Sequence, residues 1–127
     1  MSESVELVNV TPAAEKIIKK LQQKYGPLIF HQSGGCCDGS SPMCFQKEDF
    51  FINETDVFLG EIVDCNFYMA RDQFEYWKHT HLTVDIVEGR GSSFSLEIPL
   101  GLRFIVKSRL LSKSELDSLK EQMPEYY

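Results

Sequence analysis

The chain has no apolar run approaching the roughly 20 residues that cross a bilayer as a helix. Its start, Met1-Ser2-Glu3-Ser4-Val5-Glu6, carries neither the basic nor the apolar region of a secretory leader. There is no excess of base either. The net charge is −6 over 127 residues, which argues against nucleic acid, whose phosphates demand a basic face. Internal repeats, linkers and low-complexity stretches are missing, as are a serine–histidine–acid arrangement and a phosphate-binding fingerprint. These absences predict one domain over residues 1–127, cytoplasmic, with no membrane and no nucleic-acid partner. A chain of this length buries roughly two thirds of its unfolded surface, so it needs neither disulfide nor metal to fold.

What the chain does have is a concentration of sulfur. Of four cysteines, Cys36, Cys37 and Cys44 fall in one stretch with Gly34, Gly35, Gly39, Ser40, Ser41 and Pro42. Such residues build a tight loop, and glycine lets the backbone approach whatever the sulfurs hold. In a reducing compartment, clustered cysteines read as metal-binding or redox-active. Cys36, Cys37 and Cys44 are the expected metal ligands, with His31 as a nitrogen neighbour just before the loop. Sulfur ligands suit zinc, iron or copper, and an iron–sulfur cluster is a further candidate. The spacing is not that of a zinc knuckle. Adjacent cysteines in extended chain point opposite ways, so Cys36 and Cys37 share an ion only in a sharply turned loop. Two other readings stay open. A cysteine of lowered pKa could perform thiol redox or sulfur-transfer chemistry, or the loop could be a docking surface without site chemistry.

Periodicity places the loop in an α+β domain, β-rich and mainly antiparallel, with a helix near each end. Residues 5–10 read as a short strand. Thr11-Pro12 is a helix start, followed by Ala14, Ile17, Ile18, Leu21 and Tyr25 at helical spacing and closed by Gly26-Pro27. Lys16, Lys19, Lys20 and Lys24 mark its solvent side. Residues 28–32 form the strand that delivers the cysteine loop. Strands are expected at 49–52, 57–63, 65–69, 81–87, 94–98 and 102–106, with a turn at Asn53-Glu54-Thr55-Asp56 and a short helix or turn at 71–77. Ser112-Lys113-Ser114-Glu115 is a capping box for a last helix over about residues 112–123.

Outside the loop the signals are weaker. Cys65 alternates with Phe67 and Met69, which assigns it to the core. His79 and His81 are spaced to share one face of an extended chain, though a solvent-facing pair explains them as well. Glu97 could be a ligand or a base, but the outward face of a strand accounts for it more simply.

Residues Ser33 to Cys44, then Leu59-Gly60-Glu61-Ile62, Trp77, Asp85, Gly89 and Phe94-Ser95-Leu96-Glu97, resemble a small bacterial family catalogued as domain of unknown function seven-seven-nine. The resemblance spans nearly the whole chain. Members are often encoded beside aldehyde dehydrogenases, so it implies an accessory protein for such an enzyme rather than an enzyme in its own right. A more distant resemblance is to the A-type iron–sulfur carriers. Thr11-Pro12-Ala13-Ala14 and Gly34-Gly35-Cys36 are similar in kind and spacing to the carriers' helix start and Gly-Gly-Cys, which implies a HesB-like arrangement. The carriers' C-terminal Cys-Gly-Cys is absent here.

Overall fold

In a computed structural model of the chain, which describes residues 5–32, 40–89 and 95–127, the first strand, β1 (Val8–Val10), leads directly into the first helix, α1 (Pro12–Tyr25). The Thr11 side chain accepts the Ala14 amide at 3.2 Å and Pro12 stands in the first turn. Proline costs nothing there, because its missing N–H would have had no helical partner. Ala14, Ile18 and Leu21 form the buried stripe. Gly26, at φ 82°, ends the helix in a conformation that penalises a side chain.

Among the described residues six more strands follow: β2 (Leu28–Gln32), β3 (Met43–Gln46), β4 (Val57–Ile62), β5 (Cys65–Met69), β6 (Thr80–Glu88) and β7 (Leu102–Leu110). They make a three-stranded sheet in the order β1-β6-β7 and a four-stranded sheet in the order β3-β2-β5-β4. Phe30 of β2 joins the two sheets. Its ring stacks on Phe67 with centroids 6.0 Å apart and meets Phe104 of β7 edge-on at 5.2 Å. All five residues of β2 are buried, as befits a strand with neighbours on both sides and cover on both faces. Cys65, Phe67 and Met69 share the core face as expected. Two further helices close the fold. In α2 (Arg71–Trp77), Phe74 and Trp77 are buried, and Tyr126 and Tyr127 pack edge-on against Phe74. The last helix, α3 (Lys113–Gln122), starts from the expected capping box of Ser112 and Glu115 and buries Leu119.

The expectation of a mainly antiparallel sheet holds in part, for both sheets are mixed. β1 runs parallel to β6 and β2 parallel to β5, while β2–β3, β4–β5 and β6–β7 are antiparallel. Apolar alternation states which face of a strand is buried, not which strand lies beside it or in what direction. Two expected strands are also replaced. Asp49 closes a 3-10 turn at Lys47–Asp49 and residues 50–52 run outside the sheet, with Phe51 92% exposed. Within 94–98, the described part is a turn running into a 3-10 turn at Ile98–Leu100. Pro99 cannot donate to a ladder there, and Gly101 at φ 72° swings the chain into β7. Between β4 and β5, Val63 and Asp64 both take positive φ, 49° and 63°. That two-residue reversal matches the twist of a hairpin, at a steric cost to valine.

Candidate functional site

β2 carries the chain to Gln32, and the cysteine stretch returns to the sheet at β3, where Cys44 is paired opposite Phe30. The return is tied down from the other sheet. The Val106 amide donates to the Ser40 carbonyl at 2.9 Å, and Arg103 Nη1 lies 3.3 Å from Ser41 Oγ. At Cys44 the backbone turns away from β2, and a second segment takes both its groups. The Cys44 amide donates to Ser95 Oγ at 2.8 Å, and the Cys44 carbonyl accepts the Leu96 amide at 3.0 Å. The edge of the sheet is thereby covered, which an open row of backbone groups requires.

Ser95 then passes the connection inward. Its hydroxyl, already accepting from Cys44, donates to Glu97 Oε1, while the Phe104 amide donates to Glu97 Oε2 at 3.2 Å. Glu97 is 0% exposed. Burial raises its pKa against the hydrogen bonds of Ser95, of its own backbone and of Phe104. The Cys44 thiol is raised well above its ordinary value, by burial first and then by the negative fields of Glu97 and Cys65. Cys65 is pushed up to about 11, by burial first and against the hydrogen bond from Gln22. Both described cysteines are therefore protonated thiols near neutral pH, and neither is in a disulfide. Such a thiol is a poor nucleophile. A metal ion, however, displaces its proton outright.

Of the other expected site residues, His31 alone is among those described. His31 lies on the opposite face of β2 from Phe30, and hence from Cys44. Its Nε2 is 3.1 Å from Asp56 Oδ2 and its ring 4.9 Å from that of Phe50. It does not meet the Cys44 thiol. Cys36 and Cys37 lie outside the described residues. Among the described residues no three His, Cys, Asp or Glu side chains are grouped to hold a metal ion. His79 sits in the turn after α2, with its ring 6.5 Å from Tyr127, so it does not share an extended face with His81.

The family model described as Domain of unknown function (DUF779) matches residues 17–110. The chain belongs to this family. The comparison with curated proteins finds no match. The DUF779 match takes in β2 through β7, including the whole cysteine stretch and the Ser95–Glu97 segment, and leaves out β1 and α3. In this DUF779 chain the residue that sequence reasoning undervalued is Glu97. Reading it on a strand made it a solvent-facing side chain. Only the turn at 95–97 and the approach of Phe104 from β7 make it a buried carboxyl. The sequence signal was Pro99, which breaks the strand that the alternation of Phe94, Leu96 and Ile98 suggests.

Proposed function

We propose that this DUF779 protein is a metal-binding accessory protein whose sulfur ligands are Cys36, Cys37 and Cys44, with the buried Glu97 carboxyl beside Cys44. The observation that carries the reading is the pairing of a free buried thiol with a buried carboxyl at the foot of a segment that holds two more cysteines. A thiol that burial keeps protonated, beside a carboxyl whose pKa burial raises, is a setting in which a cation could displace a proton. Softness of sulfur favours zinc, iron or copper. A single ion suits the donor set better than an iron–sulfur cluster of the carrier type, whose C-terminal thiol pair this chain lacks. His31 lies on the far face of β2 from Cys44, so it is a neighbour of the proposed set through Cys36 and Cys37 alone. The protein would act in the cytoplasm, with a HesB-like arrangement of its sheet, supporting an aldehyde dehydrogenase, an enzyme class that works through a cysteine nucleophile.

The test is metal content and metal-dependent melting of protein purified under reduction without added metal. Binding to the folded state alone raises the melting temperature by linkage. That increment should vanish in Cys36→Ser and Cys44→Ser and persist in Cys65→Ser, whose thiol is occupied with Gln22 and Val63. Retention of the increment in all four single cysteine variants, Cys37→Ser included, would remove the cysteine stretch as the site. Should no metal bind, rapid alkylation of Cys36 or Cys37 at neutral pH would favour the thiol reading. Cys44 and Cys65 are too strongly held as thiols to carry it.

A further inference from the structure

The face of α1 that carries Lys20 and Lys24 borders a hollow of about 340 Å³ that the cysteine site does not use. Its walls come from two places far apart in the chain. Leu21 and Tyr25 belong to α1; Leu96, Pro99 and Leu100 belong to the segment entering β7. Leu21 is buried, whereas Leu100 is 41% exposed at the lip. The walls are thus mainly apolar and the rim is basic.

The two lysines stand one helical turn apart, a spacing at which like charges repel. Among the described residues no carboxylate forms an ion pair with either of them. Lys24 Nζ lies 5.3 Å from the centroid of the Tyr25 ring, and Tyr25 lines the hollow, so the ammonium is held near the opening. On a chain with a net charge of −6, this is a locally positive mouth over an apolar floor. The sign of the field selects an anion, and the floor selects hydrocarbon.

We propose that this hollow binds a small molecule with an apolar body and a single carboxylate. The body rests on Leu21, Leu96 and Leu100, and the carboxylate lies between Lys20 and Lys24. The volume is at the low end for small-molecule sites and leaves no room for a helix or strand of a partner. The inference is independent of the metal reading, though the two sites share a wall: Leu96 lines the hollow, while its neighbours Ser95 and Glu97 serve Cys44.

The experiment is an amide chemical-shift titration of the full chain with sodium octanoate, with 1-octanol and octylammonium as neutral and cationic comparators. Octanoate should shift the amides of residues 20–25, 96 and 100 and bind about tenfold more tightly than either comparator. The double variant Lys20→Glu, Lys24→Glu should lose that preference and keep its affinity for octanol. Leu100→Glu, at an exposed position where folding is not at stake, should abolish binding of octanoate and octanol alike. Equal affinity for all three probes, shifts confined to another face, or an unchanged preference in the double-lysine variant would each overturn the assignment. Tighter binding of an acidic peptide than of octanoate would make the face a protein-docking site and overturn it equally.

Discussion

Replacing Glu97 puts the buried hydrogen-bond chain under strain in a way that can be calculated. In Glu97→Ala, the Phe104 amide and the Ser95 hydroxyl lose their acceptor in a site closed to water. Each orphaned donor costs about 1–3 kcal/mol, and the vacated volume adds to that, so a loss of about 3–5 kcal/mol is expected near neutral pH. Glu97→Gln keeps the shape and an acceptor for Phe104 and should cost far less. The pH dependence separates the two effects. Burial raises the Glu97 pKa above its ordinary value of 4.5. In the interval between 4.5 and that raised value, the folded state therefore binds more protons than the unfolded state. Stability falls as pH rises through this interval. The stabilising contribution of the protonated carboxyl is fully present below 4.5 and is lost as pH passes the folded value. Urea unfolding in the presence of a chelator, repeated from pH 4 to 8, should show this slope in the wild type and a shallower one in Glu97→Gln. A cost below about 1 kcal/mol for Glu97→Ala, less than one unmet donor, would refute the buried network. Identical slopes for wild type and Glu97→Gln would refute the raised carboxyl.

Other variants test the scaffold. Ile18→Ala truncates a fully buried side chain of α1 and should cost about 2–5 kcal/mol in chemical denaturation; a loss within experimental error would mean that the helix does not pack on the sheets. Asp64→Gly relieves a non-glycine residue at φ 63°. It should raise stability by about 0.5–1 kcal/mol, the relief of backbone strain exceeding the added chain entropy, and a lowered melting temperature would contradict the turn. Phe51→Ser, at the position that replaced an expected strand, should change stability by no more than about 0.5 kcal/mol. A larger loss would return residues 49–52 to the core.

Local chemistry was legible where a residue's role depends on its neighbours in sequence. The Thr11-Pro12 start of α1, its stop at Gly26, the turn before β4 and the capping box at Ser112 are each decided within a few residues by hydrogen-bond geometry and φ preference. The burial of Cys65 followed from alternation with Phe67 and Met69, because a strand repeats every second residue. The concentration of cysteines at 36–44 likewise stands in the sequence, whatever the fold. Strand direction and neighbours do not, since the same alternating pattern fits either side of a sheet and either orientation. Tertiary structure alone runs β2 parallel to β5, packs Phe30 against Phe104 of the other sheet, and pairs Phe30 with Cys44, which leaves His31 on the opposite face from that thiol. It alone carries residues 95–97 across the edge of β3, turning Glu97 from a surface carboxylate into the buried end of a chain through Ser95 to Cys44. The pKa values of Glu97 and Cys44 rise because water is excluded from both, and that exclusion comes from elements more than 50 residues apart in the chain.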